Sequence, residues 1–231
     1  MTVTWLALGI AGYAVAACRV TRPLLWDRFF DHVVWRGPNT VGAKLALTFD
    51  DGPDPENTPR LLDVLDRHGV SSTFFLLGKR AERHPDLVER MRSSGHEIGN
   101  HSYGHKKLVL CSRTEIETEL DRGAAAIRQA GGGEARLFRP PHGLRDPRVL
   151  AASAARGYTC VLWSVMPWDW TQPPSEWIER WVTLRAHPGG IVVLHDGGGD
   201  RSGTVDAVDR LVPTLRDRGF ELTTVSDLLS P

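Results

Sequence analysis

Three cysteines in 231 residues, Cys18, Cys111 and Cys160, are too few and too scattered to staple a disulfide scaffold. A hydrophobic core must hold this chain instead, and Cys160, inside an apolar run, reads as a small buried residue. Excess charge is missing as well: Lys+Arg and Asp+Glu balance at 28 each, which argues against capture of nucleic acid or another polyanion by bulk charge. No internal repeat and no low-complexity run occurs, so a solenoid or an array is excluded. The stretch Gly197-Gly198-Gly199-Asp200-Arg201 lacks the lysine of a phosphate-binding loop, and its glycines are read as serving backbone geometry. No apolar run reaches the ~20 residues that usually span a bilayer.

What is present suits one globular domain. With 41% apolar and 24% charged residues, 231 residues can bury a core of barrel size. Residues 1–25 read as a hydrophobic membrane anchor or a signal-like segment: residues 3–17 carry no charge, and Arg19 and Arg22 follow. Val15-Ala16-Ala17-Cys18 also resembles a lipid-attachment box. Those arginines favour a cytoplasmic C-terminal side by the positive-inside rule. Residues 26–43, with Trp26, Phe29, Phe30 and Trp35, are expected to form a connector that packs on the domain or on a membrane surface. The domain proper is expected over residues 44–231.

Beyond Lys44, short β-like runs alternate with amphipathic segments. Strands are predicted over 44–49, 72–77, 97–99, 137–139, 159–163, 191–195 and 221–224. Helices are predicted over 58–68, 85–94, 113–130, 147–156, 176–186 and 205–218. This alternation is that of an α/β fold with a parallel sheet, a (β/α) barrel of about seven strands.

Two short motifs carry chemistry. Asp50 and Asp51 are adjacent carboxylates in a turn that Gly52 and Pro53 enforce, an unfavourable arrangement unless a cation, a proton or an arginine neutralises one of them. About fifty residues later come His101 and His105, whose separation of four places two imidazoles on one side of a helical turn, with Gly104 easing the backbone between them. Asp51, His101 and His105 make a two-His, one-carboxylate set, which leaves coordination positions open for water and substrate. Alone, either motif is more often a turn or a pair of surface histidines. Their joint occurrence, each after an apolar run, points to a metal centre.

Thr48-Phe49-Asp50-Asp51-Gly52-Pro53 and His101-Ser102-Tyr103-Gly104-His105 resemble the first two motifs of the polysaccharide deacetylase family, the NodB-homology domain of carbohydrate esterase family 4. Phe138-Arg139-Pro140-Pro141-His142-Gly143 is similar to the third, Asp169-Trp170 to the fourth and Ile191-Val192-Val193-Leu194-His195-Asp196 to the fifth. The resemblance extends over about residues 44–229 and implies a distorted (β/α) barrel. It implies Asp50 as general base, Asp51, His101 and His105 as ligands of a divalent metal, and His195 as general acid. Arg139 would pair with Asp50, Asp169 would orient His195, and His142, Trp170 and Leu194 would meet substrate. Zn2+ is the expected ion, with Co2+, Mn2+ or Ni2+ as alternatives. The chain departs from the family at His142, where an aromatic residue is usual.

The residue chemistry agrees with these roles. Amide hydrolysis needs a polarised carbonyl, an activated water and a proton for the leaving amine. A fixed guanidinium at Arg139 keeps a neighbouring base ionised, and an imidazole at His195 delivers a proton near neutral pH. Pro140 and Pro141 have no N–H, so the His142 amide is the first donor available to a developing oxyanion. The expected activity is removal of N-acetyl groups from a carbohydrate of the cell envelope, such as peptidoglycan or chitin-like oligomers, by a protein that is membrane-anchored or secreted. Two alternatives stand beside it: a deacylase or deformylase of a lipid-linked amino sugar, and a metal-holding carbohydrate-binding module without turnover.

Overall fold

The structure, a computed structural model, describes Asp27, residues 30–38 and residues 42–230. The apolar segment expected over residues 1–25 lies outside the described residues. Among the described residues, no helix is long and apolar enough to cross a membrane.

Eight strands of the described residues form one parallel sheet: β1 (Val33–Val34), β2 (Lys44–Asp50), β3 (Thr73–Leu76), β4 (Glu97–Asn100), β5 (Leu137–Phe138), β6 (Thr159–Val161), β7 (Gly190–His195) and β8 (Glu221–Thr223). The order is β1-β6-β5-β4-β3-β2-β7. On one edge of β2, β3 pairs with Thr48 to Asp50 and β8 with Lys44 to Ala46, while β7 runs along the other edge. The named strands do not close into a ring. Among the described residues, an isolated parallel bridge, Val165 to Val192, joins the segment after β6 to β7, so the sheet curls back towards its own far side without a closed ring of strands.

Among the described residues, eight α-helices cover the sheet: α1 (Asn57–His68), α2 (Gly78–Ala81), α3 (Pro85–Ser93), α4 (Arg113–Gln129), α5 (Pro147–Ala154), α6 (Ser175–Arg185), α7 (Ser202–Asp217) and α8 (Val225–Leu229). Local signals set their ends. Ser112 and Glu115 form a capping box at the start of α4, and α3 and α5 begin with a proline, whose missing N–H costs nothing there. Helix α1 stops at Gly69, which takes a left-handed φ of 58° and returns its N–H to the last turn.

Strand β2 shows how the sheet positions the site. Six of its seven residues are buried, as expected of a central parallel strand covered on both faces. Leu45, Leu47 and Phe49 pack towards α1 and α7 with Leu65, Val208 and Leu211. Alternation therefore turns Ala46, Thr48 and Asp50 to the opposite face, where Ala46 joins Phe75, Val161 and Ile191. Asp50 thus points inward at the C-terminal end of the strand, the end at which parallel barrels carry their chemistry.

Part of the expected connector belongs to the fold. Val33 and Val34 pair with Cys160 and Val161, and Asp27 forms a buried ion pair with Arg145 at 2.6 Å. A strand of two residues is too short to display a period-two alternation, which is why residues 26–43 read as a linker. Two further elements were absent from the periodicity reading, α2 and α8; at four and five residues they complete barely one helical turn.

Candidate active site and metal centre

Asp50 and His195 are register partners on adjacent strands, so the expected base and acid face one cleft. Asp51 follows in a left-handed conformation, φ 72°. That non-glycine strain swings its carboxylate away from Asp50 and towards the histidines. His101 Nε2 lies 3.5 Å from Asp51 Oδ1, and His105 Nε2 lies 3.0 Å from the same atom.

The two histidines do not share a helix, contrary to the expectation from their spacing. Residues 101–107 form no regular element, and the left-handed bends fall on Ser102 (φ 72°) and His105 (φ 61°) rather than on Gly104. Hydrogen bonds hold this loop instead. The Ser102 N–H donates to Asn100 Oδ1 at 2.9 Å, the His105 N–H to Ser102 Oγ at 3.1 Å, and the Gly104 N–H to the buried carboxylate of Glu119 at 2.7 Å. His101 Nδ1 donates to the Arg139 carbonyl at 2.7 Å, which fixes the tautomer and leaves the Nε2 lone pair facing Asp51.

The residues fit a divalent cation. One ligand atom from each of Asp51, His101 and His105 lies within 4.8 Å of the others. Asp51 Oδ1 is buried and accepts no well-directed hydrogen bond even with two imidazole nitrogens beside it. Separations of 3.0 and 3.5 Å match the edges of a coordination polyhedron, about 3.0–3.4 Å for ligands about 2.1 Å from a metal. Burial opposes charge on Asp51, but the His105, His101 and His195 imidazoles outweigh it and hold the carboxyl well below its usual range. Burial lowers His101 despite Asp50 and Asp51, so that imidazole is neutral, the form that ligates.

Arg139 follows β5 and has no exposed surface. Its Nη1 donates to Asp50 Oδ1 and to Thr48 Oγ1, both at 2.7 Å. Nε and Nη2 donate to the Val161 and Leu162 carbonyls at 3.1 Å, and the guanidinium lies 4.1 Å over the Phe75 ring. Every partner is fixed by the sheet, so the Asp50 carboxylate has a permanent counter-charge in one orientation. Thr48 completes this frame by donating its own proton to the Val192 carbonyl at 2.7 Å.

Asp169 does reach His195. Its Oδ1 lies 2.9 Å from His195 Nδ1, and its Oδ2 accepts from the His195 N–H at 2.8 Å and from Thr204 Oγ1 at 3.0 Å. Burial disfavours charge on His195, but the carboxylates of Asp169, Asp51 and Asp50 outweigh it and raise the imidazole to about 9. With Nδ1 engaged, Nε2 is the atom that carries a transferable proton.

The remaining expected residues separate. Trp170 stands edge to face with His195 at 5.4 Å and walls the cleft. His142 adopts φ 59° and sets its ring against His105 with centroids 4.5 Å apart; burial and His105 push it down to about 4, so it is neutral at physiological pH. Leu194 does not line the cleft. It has no exposed surface and packs in the helix-facing core with Phe49 and Leu211, because alternation along β7 turns it away from the face that carries His195.

Several supporting residues escaped the sequence reading. Glu119 and Thr204 act on loops and strands distant in sequence, and no local pattern marks them; Thr48 stands in the first motif, but its bonds to Arg139 and Val192 appear only in the fold. Arg201 is buried and donates to the Gly197, Gly198 and Asp200 carbonyls at 2.9, 2.9 and 3.2 Å. It thereby fixes the glycine-rich loop, whose Gly197 comes so close to the Asp51 carbonyl that an added Cβ would collide with it. Asp196 is buried beneath Gly52 and pushed up to about 7 by burial, with Thr58 Oγ1 donating to it at 2.5 Å. Glycine at 52 and 197 is thus a requirement of close approach, as expected for the loop that its composition suggested.

Known deacetylases resemble this chain over most of its length. The chain is 41% identical over 200 residues to a peptidoglycan-N-acetylglucosamine deacetylase of Bacillus cereus, covering 86% of this chain and 93% of the relative. It is 42% identical over 192 residues to a chitooligosaccharide deacetylase of Sinorhizobium fredii, covering 78% and 89%. The crystal structure of the Bc1960 peptidoglycan N-acetylglucosamine deacetylase superimposes with a TM-score of 0.86 at 33% identity, covering 90% of this chain and 97% of the other. Residues 37–161 match the family model for polysaccharide deacetylase. On these matches and this fold, the chain belongs to the polysaccharide deacetylase family.

Proposed function

We propose that this hydrolase removes N-acetyl groups from N-acetylglucosamine residues of a cell-envelope polysaccharide, using a divalent cation, Zn2+ in our reading, held by Asp51, His101 and His105. The observation that carries the reading is the position of His101 Nε2, 3.5 Å from Asp51 and 4.0 Å from Asp50, which puts the ligand set and the base in one pocket. When bound, the cation supplies Lewis acidity for the amide carbonyl and for the attacking water.

The side chains supply the remainder. Asp50, oriented by the Arg139 guanidinium 2.7 Å away, accepts the proton of the attacking water. The His142 amide, presented by the turn after Pro140 and Pro141, donates to the oxygen on which negative charge develops. His195, kept protonated by its carboxylate neighbours, gives its Nε2 proton to the departing sugar amine as the C–N bond breaks. Acetate and a free amine result. Trp170 covers the acid and shields it from bulk water.

The test is acetate release by the full chain, with zinc or cobalt added, from N-acetylglucosamine oligomers and from peptidoglycan in parallel. Metal-dependent release that a chelator abolishes supports the reading and ranks the two polymers. No release from either, with metal bound stoichiometrically, transfers it to a lipid-linked or otherwise modified amino sugar.

The acid also makes a pH prediction. Because His195 acts in its protonated form, kcat/KM falls as pH rises through its pKa, near 9 without the cation and lower with a positive ion beside it. Asp169→Asn removes the nearest charge that raises this value, so the alkaline limb moves down by about one pH unit or more. A pH–rate profile checks it, and an unmoved limb would assign that limb to another group.

A further inference from the structure

The segment that carries Asp169 also begins a chain of indoles that leads out of the cleft. Trp170 faces His195, whereas Trp168 meets Trp181 edge to face at 4.9 Å. Trp181 in turn stacks on Trp177, with centroids 5.5 Å apart and 27° between the rings. Trp177 and Trp181 stand four residues apart on α6 and so share one face. Arg185 lies 4.7 Å over Trp181 and holds it as a buttress. Trp177 is 47% exposed, a large apolar face left in water.

The topology fixes where this face lies. Helix α6 leaves the Asp169 loop on the cleft side of the parallel sheet and runs back to the N-terminal end of β7. Trp177, in its first turn, is therefore on the side of the active site.

We propose that Trp177, backed by Trp181, is a docking platform for a further sugar ring of the glycan strand whose reacting residue lies at His195. This rests on the deacetylase reading and adds a site outside the catalytic cleft. A pyranose offers an apolar C–H face that covers an indole and a hydroxyl rim that bonds to charged neighbours.

The surroundings favour that occupant. Helix α6 carries Glu176, Glu179, Arg180 and Arg185, two acids and two bases, and both glutamates pair with Arg210. The two glutamates offset two of these three arginines, which leaves a single excess positive charge, too little to hold an anionic lipid surface. A second copy of the chain needs about 800 Å² of contact per partner. Trp177, Trp181 and Leu184, spaced by four and three residues along α6, supply only a stripe of three apolar residues on one helix.

The experiment compares full-chain wild type, Trp177→Ala and Trp177→Phe, each loaded with zinc, on the dimer and the hexamer of N-acetylglucosamine. Expected for Trp177→Ala is a KM for the hexamer raised about fivefold, roughly 1 kcal/mol of lost stacking, with kcat and all dimer kinetics unchanged. Trp177→Phe retains most of the hexamer affinity. Equal effects on both lengths, or none on either, overturn the platform. So does loss of binding to phosphatidylglycerol vesicles, or of self-association, without a chain-length effect. Calorimetric titration of hexamer into the same proteins tests the platform separately from turnover: a wild type that binds hexamer through Trp177 but releases no acetate overturns the deacetylase reading and keeps the platform.

Discussion

Asp50→Asn lowers kcat by about 10²- to 10⁴-fold, the range that a positioned general base contributes, while metal binding stays close to that of wild type. The separation of these two effects follows from the geometry. Asp50 is committed to Arg139 at 2.7 Å and stands outside the cluster of ligand atoms, which comes from Asp51, His101 and His105. Asparagine is isosteric, keeps an oxygen for Arg139 to bond, and cannot accept the proton of water. Single-turnover acetate release together with calorimetric zinc titration measures both quantities. Retention of turnover would remove Asp50 from the proton-accepting role, and loss of zinc with loss of turnover would make it a ligand instead.

The largest effect on stability is expected for Arg139→Met. Methionine fills much of the volume but leaves the Asp50 carboxylate, 3% exposed, buried without its counter-charge. It also strands the Val161 and Leu162 carbonyls that the guanidinium now satisfies. Removing one partner of such a pair costs about 3–5 kcal/mol. For a domain of this size that corresponds to a fall of about 10 °C in Tm. Calorimetric melting of the single variant and of the Asp50→Asn/Arg139→Met double variant checks the cause. The double variant is expected to melt above the sum of the two single effects, because the unpaired charge is gone. Strict additivity would show that Arg139 acts by packing on Phe75 alone. Turnover by Arg139→Met is also lost, since nothing then orients the base.

Asp50, His101, Arg139 and His195 stand out in the sequence because each falls at or just after a strand-like run, and a parallel strand delivers the residue at its C-terminal end to one face of the molecule, whereas Asp51 and His105 stand out by their spacing from Asp50 and His101. The helix positions of α1, α3, α4, α5, α6 and α7 were legible to within about three residues for the same kind of reason: a 3.6-residue period persists over several turns. Strand β1 has only two residues in which to show a pattern, so its pairing with β6 could not be read. The loop at 101–105 shows the limit of spacing arguments. A separation of four is compatible with a helix, but the side chains that accept the loop's N–H groups are Asn100 at the end of β4, Ser102 in the loop itself and Glu119 on α4.

By itself, the sequence determined the chemistry available: which carboxylates, imidazoles and guanidinium exist, in what order, and at the ends of which strands. Leu194 and His195 lie side by side in the chain, and only the direction of alternation in the folded sheet sent one into the core and the other into the cleft. Glu119, Thr204 and Arg201 became part of the site only in three dimensions, because hydrogen bonds join groups that are close in space and chain order carries no record of that closeness.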